Sequence, residues 1–333
     1  MGGITLAHSH TTRDRSSVSG TRPEHPVFIV GALRSGTTML RLMLDAHPEI
    51  CNFGEFEYAV KHANDNFVPD PVKYAQLLQT DRAFLAHGFE IPSTSSYEEV
   101  IRSFLSQAGE RSGKPIVGAT VHSRFDLLRS IWPKARFIHL IRDPRDVARS
   151  CIGMGWVGNV WYGADYWLDA EKRWEKVTAE CSCEDYHELS FEALVVSPEQ
   201  ELHKICRFLD LDYDARMLTY AANSTYEPPD ASLVNQWKTK LAPKQVSLVE
   251  SKCGDLMERR GYSRHPKSHR PSIGTRVYLG AQNSLARKAF NLRRYGWPLY
   301  LKWQIAKRLS SGNATWASRV IAEKNKVDIS YLR

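Results

Sequence analysis

Residues 26–50 read PVFIVGALRSGTTMLRLMLDAHPEI. The apolar run Val27 to Val30 predicts a strand, Gly31 and Gly36 a tight turn, and the pattern from Thr38 until Pro48 a helix. Strand, glycine turn and helix start together make an anion cradle, because backbone N–H groups and the positive helix end point at the same spot. A nucleoside-triphosphate loop would read G-x-x-x-x-G-K-[ST], with the lysine on the β- and γ-phosphates and the hydroxyl on magnesium. Here Thr37 stands in the lysine position. What remains is a set of donors, Arg34, Ser35, Gly36, Thr37 and Thr38, with Arg34 as its single formal positive charge. A turn that merely joins strand to helix would not need that density of donors.

Outward from this loop, short apolar runs alternate with helical patterns. The runs are VFIV at the loop, IVGA at 116–119, RFIHLI at 136–141 and YHELSF near 186. Helical patterns cover 38–46, 123–131, 144–153, 163–179, 198–209 and about 243–260. Continuous apolar strands separated by helices predict a parallel sheet covered on both faces. The expected fold is α/β, a three-layer domain with a central parallel sheet flanked by helices, over residues 25–264. Residues 1–24 read as a mobile polar tail, and 265–333 as a separate basic, helical C-terminal extension.

The chain has 333 residues, of which 42% are hydrophobic, ample for a large core. It contains no run of about 20 apolar residues and no apolar signal core near its start, so the reading is a cytoplasmic protein. Six cysteines lack any paired C-x-x-C spacing, and the twelve histidines lack H-E-x-x-H spacing, so no metal is expected. The net charge of +8 is concentrated: from Arg264 to Ala322 there are twelve Lys or Arg and no Asp or Glu.

A second stretch, ARFIHLIRDPRDVARSCIGMGW at 135–156, places Arg142 at the end of a strand and Ser150 two turns into the following helix. An arginine fork and a hydroxyl can hold a second phosphate. A salt-bridge cluster of Arg142, Asp143, Arg145 and Asp146 at a helix start is the alternative. GALRSGTT followed about a hundred residues later by FIHLIRDPRDVARS resembles the sulfotransferases that use 3′-phosphoadenosine-5′-phosphosulfate. The segments SFEALVVSPEQ and WKTKL extend the resemblance, which covers about residues 26–262. It implies that residues 34–38 hold the 5′-phosphosulfate, that Arg142 and Ser150 hold the 3′-phosphate, and that 3′-phosphoadenosine 5′-phosphate is released without a metal.

The chain departs from the family pattern at three places. Phe191 replaces a tyrosine, Gln236 precedes Trp237 where a basic residue is common and leaves that role to Lys238 or to no residue, and Ala119 and Thr120 occupy the place of a frequent lysine. Charge for the departing phosphate then falls to Arg34, with His122 as a second contributor. The family's carboxylate base lies shortly after the first helix. In HPEICNFGEFEYAV, Glu55 after Gly54 resembles the G-E of tyrosylprotein sulfotransferases and is preferred, while a strand would put Glu55 and Glu57 on one face.

The leading expectation is sulfuryl transfer to a hydroxyl acceptor, whether glycan, lipid, phenol or peptidyl tyrosine. The rivals are a small-molecule kinase and a non-enzymatic module binding membranes or nucleic acid. In the extension, Leu299, Trp303, Ile305, Ala306 and Leu309 can share an apolar face flanked by Lys302, Lys307 and Arg308. That pattern suits peripheral contact with an anionic membrane, or packing on the core or a second subunit, and no specific nucleic acid.

Overall fold

A computed structural model describes residues 24–330 apart from 64–68, 94, 95, 267, 269 and 309–313. The tail at 1–23 and Leu309 therefore lie outside the described residues. Five parallel strands, β1 (Val27–Val30), β2 (Ile50–Glu55), β3 (Ile116–Val121), β4 (Arg136–Ile141) and β5 (Tyr186–Ser190), form one sheet in the order β2-β3-β1-β4-β5. Strand residues alternate between two cores, as the pleat requires. Phe28 and Val30 join Phe137, Trp132, Trp167 and Trp174 on one face, while Val27 and Ile29 join Leu40, Ile138, Leu140 and Leu202 on the other.

Each strand is followed by helix. After β1 comes α1 (Thr37–Asp45), and after β2 a long connection contains α2 (Pro71–Leu78), α3 (Arg82–His87) and α4 (Tyr97–Ser112). The short α5 (Leu128–Ile131) leads into β4, whose exit is α6 (Pro144–Gly153) and then α7 (Val160–Glu180). After β5, α8 (Phe191–Val196) and α9 (Pro198–Phe208) cover the second core, and α10 (Trp237–Lys240) and α11 (Pro243–Arg259) close the domain. Because β1 has β3 on one side and β4 on the other, its helix leaves where the strand order reverses. Such a switch point opens a crevice at the carboxyl ends of the strands, and α1 starts there.

Residues 273–330 form α12 (Ile273–Ala306), broken at Gly296 ahead of Pro298, and α13 (Ala314–Ser330). These helices pack on each other through Leu299, Ala306, Ala317 and Val320, with Tyr295 and Trp303 against them. The pair is also fastened to the domain. Asn283 accepts the Gly158 N–H at 2.6 Å, and Asn159 donates to the Leu279 carbonyl at 2.8 Å. Side chains at Gly155 and Gly158 would collide with Phe290 and Ala286, so both glycines allow the close approach. Of the apolar face read around Trp303, Leu299 and Ala306 are buried against α13 while Ile305 stays half exposed, so packing within the chain takes up part of it.

One buried ionic cluster joins the sheet to its covering helices. His139 on β4 lies 3.2 Å from both Glu171 on α7 and Glu188 on β5, stacked 4.4 Å from Trp174. Arg260 pairs with Glu171 at 2.7 Å. Both ring nitrogens of His139 face carboxylates, which raises its pKa against the opposing effect of burial, and the same contact holds Glu188 down to about 2. A histidine pKa raised on folding adds stability that is fully present below about 6.5 and is lost as pH rises through the folded value. His139→Leu should therefore destabilise by roughly 3 to 5 kcal/mol at pH 6, as expected for breaking a buried pair. Urea titrations should show the deficit shrinking towards pH 9, and a pH-independent deficit would mean that the ring is neutral.

Candidate active site

The crevice is built from the loop between β1 and α1. Gly31, at φ +148, passes so close to β4 that a Cβ would sit 2.3 Å from the Leu140 carbonyl oxygen. Gly36, at φ +94, is the N-cap of α1 and provides no side chain to cap it. The first-turn N–H groups of α1 therefore have no intrahelical acceptor and no capping oxygen, and no acidic residue sits in that turn. Ser35 is fully buried and its Oγ has no hydrogen-bond partner. A buried polar atom left unpaired in this way costs about 1 to 3 kcal/mol, so the loop is shaped for an acceptor-rich group.

The end of β4 supplies the second half. Arg142 is buried, donates to the carbonyl oxygens of Arg34 at 3.2 Å and Leu233 at 2.8 Å, and stacks 4.1 Å over the Phe191 ring. Its Nε is buried without a partner, and burial pulls its pKa below the ordinary arginine value. Arg34, held at φ +75, extends its Nε to Ser150 Oγ at 2.9 Å. The two loops, separated by more than a hundred residues, thus meet directly. Phe191 supports both: besides Arg142 it touches the Gly36 position, where a Cβ would lie 2.4 Å from its ring.

On the other side of the cradle stands His122, just past β3. Its Nδ1 lies 3.1 Å from the Gly31 carbonyl, which can only accept, so Nδ1 carries the proton. In the neutral ring Nε2 then accepts from Thr37 Oγ1 at 3.5 Å. The two carboxylates do not share a strand face. β2 has a register shift between Asn52 and Glu55, with Gly54 at φ +113, and a short 3₁₀ turn begins at Glu57. Glu55 is exposed and faces a cavity also lined by Thr38 and His122, 3.9 Å from Arg82. Glu57 instead accepts the His122 backbone N–H at 2.8 Å, and burial pushes its carboxyl above the usual range.

Trp237 and Lys238 sit at the start of α10. The Trp237 N–H donates to Asp146 at 2.8 Å, and its ring lies 3.6 Å from the Arg145 guanidinium. Lys238 is exposed, 5.7 Å from the same ring. Arg142, Asp143, Arg145 and Asp146 divide between both earlier readings. Arg145 forms the structural pairs, to Asp143 at 2.7 Å and Glu250 at 2.8 Å, and leaves Arg142 to the crevice. The sequence reading passed over Arg41, Arg82 and His87, which line the cavity, and Arg149, which donates to Gln236. Arg41 could have been found, since it lies three residues beyond Thr38 on a helix. Among the described residues, no group of three or more His, Cys, Asp or Glu is placed to hold a metal ion.

A sequence model of the Sulfotransferase family matches residues 26–215, spanning β1 through α9 and both loops that meet at the crevice. The chain belongs to the sulfotransferase family. Among its relatives, protein-tyrosine sulfotransferase 1 of Danio rerio is 23% identical over 280 residues, covering 74% of each chain. An omega-hydroxy-beta-dihydromenaquinone-9 sulfotransferase of Mycobacterium bovis is 25% identical over 203 residues, 54% of this chain and 50% of that one. The fold matches the sulfotransferase domain from the curacin biosynthetic pathway with a TM-score of 0.51 at 17% identity, covering 72% of this chain and 99% of that domain. This sulfotransferase is accordingly an enzyme of sulfuryl transfer, and a small-molecule kinase is set aside. Its six cysteines are free, and no helix among the described residues is long and apolar enough to cross a membrane.

Proposed function

We propose that this sulfotransferase takes its sulfuryl group from 3′-phosphoadenosine-5′-phosphosulfate and delivers it to a hydroxyl acceptor in the adjoining cavity. The observation that carries the reading is the pairing of two anion-shaped places: the loop with its unpaired Ser35 Oγ, and Arg142 with its unpaired Nε, joined by the bond from Arg34 to Ser150. A nucleotide with phosphoryl groups at both 5′ and 3′ positions supplies acceptors for both, and when bound it offers an electrophilic sulfur with a phosphate leaving group.

The 5′ group belongs to Arg34, Ser35, Gly36, Thr37, Thr38 and the first-turn N–H groups, and the 3′-phosphate to Arg142 and Ser150. His122 orients the Thr37 hydroxyl, and Phe191 backs both sides as a ring, with no hydroxyl to offer. Trp237 and Lys238 close the flank beside α6. Glu55 is the base in this reading: it takes the acceptor proton as the acceptor oxygen bonds to sulfur and the bond from sulfur to the 5′-phosphate oxygen breaks. Arg34 offsets the charge that collects on the departing phosphate. Exposure of Glu55 towards the cavity, against the inward bond of Glu57, supports that choice.

Arg142→Ala should weaken 3′-phosphoadenosine 5′-phosphate by roughly 1.5 to 3 kcal/mol in calorimetry while barely changing adenosine 5′-phosphosulfate. Equal losses for both nucleotides would make Arg142 structural. Glu55→Gln should lower turnover by about 10² to 10⁴ with unchanged affinity for the bisphosphate. Turnover within a factor of a few of the parent would pass the role to another group.

A second reading concerns the surface of α12. Along α12 the exposed apolar side chains include Ile273, Val277 at 68% exposure, Leu285 at 65% and, past the break, Trp297 at 69%. Arg276, Lys288, Arg293 and Lys302 are exposed on the same helix, and no acidic residue lies between 264 and 322. An anionic bilayer fits such a face, since basic residues near anionic lipid contribute about 1 kcal/mol each and exposed apolar residues add insertion. In sedimentation with phosphatidylserine vesicles, the full chain should partition in a salt-dependent way and Val277→Asp with Leu285→Asp should not. A dimer lost in that variant without vesicle binding would assign the face to a second copy.

A further inference from the structure

The cavity beside Glu55 encloses about 1000 Å³, the upper end of the range for small-molecule sites. One side carries the groups already described, Thr38, Glu55 and His122, and apolar surface comes from Phe53, Leu85 and Ala86. Another wall comes from the far end of the chain. Ser318, Arg319, Ala322, Asn325 and Lys326 all line it, a spacing that puts them on one face of α13. This wall lies outside residues 26–215, the segment matched by the family model. It is held in place from behind, where Ala317 and Val320 pack on Leu299 and Ala306, and Tyr295 donates to Asp328 at 2.7 Å.

The charge of the lining is one-sided. Arg41, Arg82, Arg319 and Lys326 face a single carboxylate, Glu55, which is 3.9 Å from Arg82. Among the described residues, Arg319 and Lys326 have no acidic partner within ion-pair distance. Cations along an otherwise largely apolar cavity favour a ligand that brings its own negative charge, because a charge-assisted pair there is stronger than the contact each cation makes with water.

We propose that α13 is the acceptor-selecting wall of this enzyme, and that the acceptor is an amphiphile: an apolar body bearing the reactive hydroxyl and, elsewhere on it, an anionic group received by Arg319 and Lys326. The proposal rests on the reading of this cavity as the acceptor side of the sulfotransferase site. It assigns positioning, not chemistry, to the two cations. Glu55 still takes the proton, and Arg319 and Lys326 fix which end of the acceptor faces it.

Two probes of equal chain length separate charge from apolar fit: 10-hydroxydecanoate and decane-1,10-diol. Calorimetry on the full chain should find the hydroxy acid bound at least tenfold more tightly than the diol. The double variant Arg319→Ser with Lys326→Ser should erase that preference. Both residues are exposed, so the fold should be retained, as circular dichroism would check. Ala322→Trp, which fills the cavity from an exposed helix position, should weaken both probes. Equal binding of the two probes, a preference that survives the double substitution, displacement of the hydroxy acid by 3′-phosphoadenosine 5′-phosphate, or no binding of either at millimolar concentration would each overturn the proposal. If the probes behave as expected but the bisphosphate fails to bind the parent protein, the donor assignment falls and the acceptor wall stands.

Discussion

A guanidinium buried at the carboxyl edge of a parallel sheet is the constraint around which this site is arranged. Arg142 has little water to solvate it, so its hydrogens must be met by protein or ligand. Two are met by carbonyl oxygens, one on the glycine loop and one on the segment before α10, and the ring of Phe191 covers its face. Those contacts hold three distant stretches of chain at fixed separation. The Nε left over faces no protein acceptor. A site of this kind is assembled before its ligand arrives, which is what tight recognition of a charged group requires.

The sheet makes that assembly feasible. Only at the reversal of strand order can a loop from β1 and the exit of β4 stand side by side without a crossing connection between them. Gly31 then lets β1 leave against the Leu140 carbonyl, and the same turn aims the start of α1 into the gap. The anion-facing groups therefore follow from topology together with two glycines. The surroundings of the two nearby carboxylates depend on smaller departures, such as the irregularity of β2 ahead of Glu55 and Glu57.

Much of this was legible in the sequence because it is local. The run VFIV followed by glycines and a helical pattern gives β1, the loop and α1, and the other apolar runs give β3, β4 and β5 within a few residues. The β2 strand and the helices α2 to α4 were not legible, since that segment carries mixed polarity and its aromatics are buried by packing between separate elements, as Tyr58 on Phe84 and Tyr74 on Tyr97, which no local period reveals. The pair Glu55 and Glu57 could not be separated by period, because a bulge breaks the alternation on which the period depends. The C-terminal helices were recognisable as helices and as basic. That α13 would fold back over the crevice was not, for nothing local specifies which surface an amphipathic helix will meet.

That last placement bears on how the molecule comes into being. Neighbouring strands in the sheet join segments between residues 27 and 190, but one wall of the cavity is contributed by α13, nearly three hundred residues after Thr38. Contacts of such long separation are the slowest to form, because the intervening chain must be ordered first. A growing chain would therefore possess the crevice at the strand-order reversal while the neighbouring compartment was still open on one side. Completion of that compartment waits for the synthesis and docking of α13.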